Sequence, residues 1–349
     1  MATHFCPKSH LDKLGKHHDP RAKAVVERME AVCRAHPAFY LNDERIADMD
    51  RYGIDAQLTM IDHQEDPNAF GISGSELLEM CAQVNDECHK FQEGSRGRIF
   101  ALGTVPLHAG QEDAMREEMR RASEDLGLKG FMVLSNIRGT PIDAFEAFWE
   151  EAERLRSVVY IHPDDGRTRE ARPYEFDYDL QHVFGWPYET TLVLSRLVLG
   201  GVMLRHPRLK VVSHHMGGMI PFFAGRIAET YRKNKPTRPE SPPLHGKTLE
   251  DFGVRASRAL ETVGLEGPVL DYYKMFYYDT AVGGSAAAIR CGVDALGAER
   301  IVFGTDYPWG PEGGRKRLES YPGVLREAVE SASDLREMFE GNAKRLLGI

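Results

Sequence analysis

The stretch TPIDAFEAFWEEAERLRSVVYIHP, residues 140–163, combines a helix pattern with a strand pattern. Ile142–Arg156 is predicted to be a helix, with Thr140 placed to cap it and Pro141 at the first helical position. The helix pattern rests on one apolar stripe, formed by Phe145, Phe148, Trp149, Ala152 and Leu155. Val158–His162 follows as a continuously apolar strand that ends in histidine. The stretch therefore predicts a helix that leads into a buried strand.

The same alternation of strands and helices continues on both sides of this stretch. The strand candidates are continuously apolar rather than alternately apolar and polar, which is typical of a parallel sheet covered by helices. The other strand candidates are Ile54–Met60, Ile99–Val105, Gly130–Leu134, Leu209–His214, Phe276–Asp279 and Ile301–Gly304. The other helix candidates are Glu76–Phe91, Gln111–Glu124, Thr190–Leu204, Pro221–Tyr231, Ser285–Leu296 and Gly323–Glu330. The pattern predicts an α/β fold built from repeated strand–helix units.

Closing these strands into a barrel requires an eighth strand. The only free place for it is the N-terminus, where Ala2–Phe5 could supply it. This candidate is short and has no lead-in, whereas strands commonly run about five residues, so either the first strand is stunted or the chain begins late. The 349 residues are compatible with a single barrel domain, 1–349, and the Pro-rich stretch Lys235–Lys247 is predicted to be a loop inserted in it.

The composition excludes several classes of protein. The net charge is −9 and there is no long run of lysine or arginine, which argues against nucleic acid and anionic lipid as partners. No apolar run reaches the ~18 residues of a membrane-spanning helix, and the N-terminus lacks the apolar region of a signal peptide. The five cysteines are scattered without a C-x-x-C pair, which favours reduced thiols and a cytoplasmic protein.

Four common catalytic motifs are absent from the sequence: H-E-x-x-H, G-x-S-x-G, the Walker A loop, and G-x-G-x-x-G after a strand. Instead, polar side chains stand at the carboxyl ends of strand candidates, where barrel enzymes place their active sites. These residues are His162, the pair His214–His215 and Asp306, with His4 in the N-terminal candidate. Packing or a turn explains each of them alone, but four imidazoles and a carboxylate at one barrel mouth would supply a divalent-metal site and a base.

Several stretches, in the same order along almost the whole chain, match those of a known enzyme family. They are His4-Phe5-x-Pro7, Arg45-Ile46-x-x-Met49-Asp50, Tyr160-Ile161-His162-Pro163, Trp186-x-Tyr188-Glu189-Thr190-Thr191, His215-x-Gly217-Gly218 with Pro221 and Gly225-Arg226-Ile227, and Gly304-Thr305-Asp306-Tyr307-Pro308. The chain resembles the amidohydrolase superfamily and, within it, the aminocarboxymuconate semialdehyde decarboxylase branch. This resemblance implies a (β/α)8 TIM barrel with one divalent metal ion.

The resemblance also implies a ligand set for that ion. The family holds its metal, usually zinc, with an H-x-H pair on the first strand, a histidine on the fifth and an aspartate on the eighth. The corresponding positions here are Ala2, His4, His162 and Asp306. Ala2 has no donor atom, so two imidazoles and one carboxylate remain, a set that manganese, cobalt or magnesium could also accept. Three explanations for Ala2 stay open: a misplaced start, a site with three protein ligands, or a degenerate site.

Two adjacent histidines compete for the position of the family's base on the sixth strand. Counting back six residues from Pro221 selects His215, to which the resemblance gives the role of a proton relay. Alternation of side chains along a strand then places His214 on the opposite face, where a hydrogen-bonded packing role is expected. Asp306 is expected to take part in catalysis as well as in metal binding.

Three further residues resemble substrate contacts of the family. Arg45 and Arg226 resemble its carboxylate-binding arginines, since a guanidinium matches a carboxylate bidentately. In relatives the counterpart of Arg226 reaches the site of the neighbouring subunit, which implies a homodimer. Trp186 resembles an aromatic wall of the substrate pocket. Without the resemblance, a surface or packing role would be preferred for the arginines, and core packing explains Trp186 equally well.

The resemblance favours nonoxidative decarboxylation of a small carboxylated aromatic or muconate-like compound. In this hypothesis His215 relays a proton, Arg45 and Arg226 hold the carboxylate, CO2 leaves, and no organic cofactor is needed. A metal-dependent hydrolase or hydratase that uses the same site is the alternative among enzymes. A metal-poor, noncatalytic binding barrel is the alternative of another class, which only Ala2 favours and against which the retained polar strand ends argue.

Overall fold

The computed structural model describes residues 2–62, 66–164, 177–231 and 264–349. In this part of the chain, parallel strands form an inner ring that is covered by helices. The strands are β1 (Ala2–Phe5), β2 (Gln57–Ile61), β3 (Ile99–Ala101), β4 (Gly130–Leu134), β5 (Val158–His162), β6 (Lys210–Ser213), β7 (Tyr277–Asp279) and β8, which has two pieces, Ile301–Val302 and Gly304–Tyr307. The predicted bounds of the first, fourth and fifth strands are confirmed.

The strands close into a barrel. β1 pairs in parallel with β2 on one side and with β8 on the other, so the start and the end of the chain meet at this seam. β2 pairs with β3, and a single bridge between Gly103 and Phe131 joins β3 to β4. β4 to β8 then continue in sequence order, all parallel. The predicted (β/α)8 barrel, including Ala2–Phe5 as its first strand, is confirmed.

Helices surround the strands. They are α1 (Lys8–Gly15), α2 (Pro20–Ala35), α3 (Asn42–Arg51), α4 (Gly74–Glu93), α5 (Glu112–Arg120), α6 (Glu146–Leu155), α7 (Trp186–Leu199), α8 (Val202–Arg205), α9 (Ile220–Thr230), α10 (Val269–Tyr273), α11 (Ala286–Leu296), α12 (Arg315–Ala328), α13 (Ala332–Arg336) and α14 (Asn342–Leu347). Strands β2, β4 and β5 are buried along their whole length. Full burial explains why β4 and β5 are almost continuously apolar in the sequence, whereas β2 contains the buried polar residues Gln57 and Thr59.

The start of α6 differs from the prediction. Thr140 and Pro141 do not cap the helix, because they form an antiparallel bridge with Asn136–Ile137 in a small hairpin. A 3₁₀ turn at Ile142–Ala144 follows, and the α-helix begins only at Glu146. The extended backbone that the hairpin requires is incompatible with a helical first turn at these residues.

The helix predicted at Gly323–Glu330 also begins earlier than expected. α12 starts at Arg315 and continues through Pro322. Proline removes one backbone hydrogen bond from a helix interior, but Leu318, Tyr321 and Leu325 bury the inner face of this helix. Packing against the barrel therefore outweighs the local preference of Pro322 to end the helix.

Three helices between β1 and β2 were not predicted. α1 and α2 pack with the first half of α4 around a second apolar cluster that includes Cys6, Leu14 and Phe39. The N–H of Cys6 donates to the carbonyl of Phe39 at 2.8 Å, which holds the chain just after β1 against this layer. The layer covers the carboxyl end of β1, close to the candidate site.

Gly130 shows how closely β4 and β5 approach each other. Its φ is 152°, and a Cβ built on it would lie 1.9 Å from the carbonyl oxygen of Val158. Only glycine is accommodated at this position.

In the described ranges, no helix combines the length and the apolar composition that crossing a bilayer requires. The Pro-rich loop predicted at Lys235–Lys247 lies outside the described residues.

Candidate active site

Three buried imidazoles meet at the carboxyl ends of the strands. His4 lies in β1, His162 ends β5, and His214 follows β6 directly. One ring nitrogen of each lies within 4.8 Å of those of the other two, and none of the three residues is more than 2% exposed. Imidazole nitrogens in such a cluster are suited to hold a divalent transition-metal ion.

Asp306 joins this cluster through His4. Its Oδ1 lies 2.9 Å from Nε2 of His4, across the seam between β1 and β8. Its Oδ2 accepts a hydrogen bond from Nη1 of Arg317 at 2.7 Å. Burial alone would raise the pKa of Asp306, but its contact with His4 and the charge of Arg317 hold that pKa far below its ordinary value. The side chain is therefore an ionised carboxylate beside the imidazoles, and its oxygens can act as metal ligands.

The two buried ring nitrogens of His4 are relevant to whether these residues fit a metal ion. Neither of its buried ring nitrogens meets the geometry of a hydrogen bond among the described residues, although Nε2 is close to Asp306. Its Nδ1 is 3.5 Å from Oδ1 of Asp62, which also accepts a hydrogen bond from Nε1 of Trp309 at 3.1 Å. Buried polar atoms without partners are rare in folded proteins. A bound cation would give Nε2 of His4 a partner, while Nδ1 keeps its contact with Asp62.

His162 is held in a form that can bind a metal. Its Nδ1–H donates to the carbonyl oxygen of Pro163 at 2.7 Å, so the lone pair is on Nε2. Burial, and next the neighbouring His214 and His4, hold the pKa of His162 well below its ordinary value. The ring is therefore neutral at pH 7, as a metal ligand must be.

His215 and Trp186 lie beside the cluster, as predicted from the sequence. The two rings are almost parallel, at 9°, with centroids 6.1 Å apart, and Trp186 also packs edge-on against His162 at 5.4 Å. Burial, and next His214, lower the pKa of His215 to about 4. Its Nδ1 is buried with no hydrogen-bond partner in the described part of the chain. The catalytic role of His215 stays a prediction.

His214 does not face away from the site, which corrects the expectation from strand alternation. β6 ends at Ser213, and His215 and Met216 have left-handed backbone conformations, with φ of 55° and 53°. The alternation rule therefore no longer applies at this point of the chain. The centroid of the His214 ring lies 4.9 Å from the centroid of the His162 ring and 5.6 Å from that of the His4 ring.

Arg45 has a structural role in this structure, which corrects its assignment to a substrate carboxylate. It is fully buried, and its guanidinium donates to the carbonyls of Ala38 and His4 and to the side chains of Thr3 and Gln57. These five hydrogen bonds occupy all five N–H groups of the side chain. Arg45 thus fixes β1, and with it His4, instead of presenting a free donor to a substrate.

Arg226 lies exposed on α9. Its predicted contact with the site of a neighbouring subunit involves a second chain, so that role stays a prediction. Phe222, one turn earlier on the same helix, is 78% exposed. Exposed aromatic side chains of this size are common where proteins associate.

Three residues of the site were not found from the sequence. Asp62 follows β2, Asp279 ends β7, and Arg317 lies in α12. The first two stand at carboxyl ends of barrel strands, so the rule that selected His162 could also have selected them. Arg317 carries no comparable signal, because only the fold brings its helix to Asp306.

Comparison with known proteins agrees with this architecture. The sequence model of the family described as Amidohydrolase matches residues 17–349. A 2-amino-3-carboxymuconate-6-semialdehyde decarboxylase of Dictyostelium discoideum is 29% identical over 315 residues, which cover 88% of this chain and 76% of that protein. The crystal structure of 5-carboxyvanillate decarboxylase from Sphingomonas paucimobilis has a TM-score of 0.74 at 22% identity, and the match covers 100% of this chain and 98% of that one.

A second solved structure carries a metal. It is a dihydroxybenzoic acid decarboxylase from Polaromonas sp. JS666 with bound manganese and the inhibitor 2-nitroresorcinol. Its TM-score is 0.69 at 20% identity, and the match covers 99% of this chain and 95% of that one. The predicted resemblance to the decarboxylase branch is confirmed by these relatives, and the chain belongs to the amidohydrolase family.

Proposed function

We propose that this protein is a metal-dependent nonoxidative decarboxylase that releases CO2 from a small aromatic or muconate-like carboxylate. The observation that carries the proposal is the meeting of His4, His162 and Asp306 with His215 at one end of the barrel. The similar proteins named above are decarboxylases, which supports this activity over hydrolysis. Their substrates share a carboxylate on an unsaturated or aromatic carbon, which supports the proposed substrate class.

His4, His162 and Asp306 would hold the metal ion in this proposal. Two imidazoles and a carboxylate suit zinc, the proposed metal, and the manganese of the Polaromonas relative is the main alternative. When bound, a divalent ion supplies positive charge that polarises a substrate oxygen. Arg317 and Asp62 keep the ligands in place, because one bonds Asp306 and the other lies against His4.

The reaction needs one proton and no change of oxidation state. The bond between the carboxyl carbon and the rest of the substrate breaks, its electron pair stays on the substrate carbon, and that carbon takes up a proton. His215 is suited to pass this proton from water to the substrate carbon, since its neutral ring has one N–H donor and one acceptor nitrogen and its Nδ1 has no protein partner among the described residues. Trp186, stacked near His215, supplies an apolar wall for a flat substrate.

A substrate screen tests the activity. Protein loaded with zinc or with manganese is incubated with dihydroxybenzoates, 5-carboxyvanillate and carboxymuconate-type compounds that carry ¹³C in the carboxyl group. We expect labelled CO2 and a product that lacks that carboxyl group, and we expect neither after removal of the metal with a chelator. Product that keeps its carboxylate would favour hydrolysis or hydration. Complete inactivity of metal-loaded protein on the whole set would favour a binding protein.

We also propose a cytoplasmic homodimer, in which Arg226 of each subunit reaches the site of the other. The exposed positions of Arg226 and Phe222 on α9 support this arrangement, and the five free cysteines are compatible with a reducing compartment. Mixing inactive Arg226→Ala and Asp306→Asn subunits is expected to restore part of the activity, because a mixed dimer contains one intact site. A monomer by analytical ultracentrifugation, or no recovery on mixing, would contradict this proposal.

A further inference from the structure

His214 lies at the candidate metal site, although neither the strand pattern nor the family resemblance gives it a role there. Three nitrogens that are at most 4.8 Å apart share a centre no more than about 2.8 Å from each, which is 4.8 Å divided by √3. Bonds from zinc to histidine nitrogen are about 2.0–2.1 Å long. Shifts of less than about 1 Å would therefore bring His4, His162 and His214 onto one ion.

The surroundings of His214 are poor for a residue that only packs. Its Nε2 contacts Sδ of Met60 at 3.1 Å, and a thioether is a weak acceptor. His214 is 1% exposed, so solvent does not supply a better partner for Nε2. Its ring is also stacked on the ring of His4, whose Nε2 faces the carboxylate of Asp306 at 2.9 Å. A metal ion would give Nε2 of His214 a strong partner, which the packing around this nitrogen does not provide.

A buried carboxylate stands behind His214. Oδ2 of Asp279 lies 2.8 Å from Nδ1 of His214 and accepts a hydrogen bond from the hydroxyl of Tyr160 at 2.6 Å. Oδ1 of Asp279 accepts from the backbone N–H groups of His215 and Ala281. Metal-binding histidines typically present one nitrogen to the ion and the other to a carboxylate that fixes the ring. Asp279 has this position and leaves Nε2 of His214 available.

We propose that His214 is a direct ligand of the metal ion together with His4 and His162, and that Asp279 orients it. The proposal deepens the proposed function and rests on it, since it concerns the same ion. β1 has no donor at Ala2, and the end of β6 would supply one in its place. With Asp306 the ion would have three imidazoles and one carboxylate, while the adjacent His215 remains available for proton transfer.

Adjacent histidines provide a matched pair of variants. His214→Ala and His215→Ala are each loaded with zinc and with cobalt, and the metal dissociation constant is measured by competition with a chelator. We expect His214→Ala to weaken binding by at least ~10²-fold and to change the visible absorption spectrum of bound cobalt. His215→Ala is expected to keep the affinity and the spectrum while CO2 release falls. Asp279→Asn should weaken binding by ~10- to 100-fold, as loss of an orienting carboxylate does.

Circular dichroism of the metal-free proteins separates metal binding from folding. If His214→Ala fails to fold, His214→Phe keeps an aromatic ring of similar shape and removes both donors. A folded variant at position 214 with wild-type affinity and an unchanged cobalt spectrum would overturn the inference. If the wild type binds metal through His214 yet decarboxylates nothing, the proposed function fails and this inference stands. Wild-type protein that binds neither zinc nor cobalt would overturn both.

Discussion

Replacing Asp306 with asparagine is expected to lower CO2 release by at least ~10²-fold and to strip most of the metal from the protein. Asparagine has nearly the same shape but no charge, so Nε2 of His4 loses its anionic neighbour at 2.9 Å. Arg317 loses the carboxylate to which it donates, and its positive charge then faces the ion uncompensated. Metal content by plasma mass spectrometry and kcat/KM on the best substrate measure the two effects.

Asp143→Asn is the matched control for this change. Asp143 forms an ion pair with Arg196 on α7, outside the strand ends that form the site. Loss of a surface pair of this kind costs no more than about 1 kcal/mol of stability, and we expect metal content and activity to be unchanged. Full metal content and full activity in Asp306→Asn would show that the carboxylate is neither a ligand nor a catalytic group.

Arg45→Met is expected to lower the free energy of unfolding by about 3–5 kcal/mol. The change leaves the carbonyls of Ala38 and His4, and the side chains of Thr3 and Gln57, without their buried donor. The contacts of the guanidinium with the rings of Phe91 and Tyr307 are lost as well. Because Arg45 fixes β1, we expect metal affinity to fall together with stability. Urea denaturation of metal-free protein measures the loss of stability.

Arg336→Met tests whether the loss of any arginine has this effect. Arg336 pairs with Glu340 on the surface, where the two side chains are 79% and 44% exposed, so a loss of about 1 kcal/mol or less is expected. The two possible roles of Arg45 predict opposite results. If Arg45→Met kept wild-type stability and only raised KM, Arg45 would be the substrate contact that the family resemblance implied. A stable variant with unchanged KM would contradict both roles.

Most of the barrel could be predicted from the sequence, because fully buried strands require continuous apolar runs. Gly130–Leu134 and Val158–His162 were bounded correctly for this reason. The start of α6 could not be predicted, since it depends on a hairpin in which Thr140 and Pro141 take extended conformations. The helix through Pro322 was missed for a related reason, because tertiary burial compensates there for an unfavourable residue.

The candidate site was predictable where a residue stands at the end of a strand. His162 and Asp306 follow that rule, and so does Asp279, which was overlooked. The direction of the His214 side chain could not be predicted. Side chains alternate between the two faces only within the strand, and β6 ends at Ser213. The contacts of Arg45 join α3 to β1 and β2, which are far apart in sequence, so the motif around Arg45 could not reveal them.

The seam between β1 and β8 has a consequence for the order of folding. His4, His162 and Asp306 come from the beginning, the middle and the end of the chain, and the first and last of them meet only when the final strand docks. Contacts between such distant segments form late, because ordering the loop between them has an entropic cost. Capture of the ion should therefore be one of the last events after synthesis, and the rate of metal uptake during refolding should report the docking of β8.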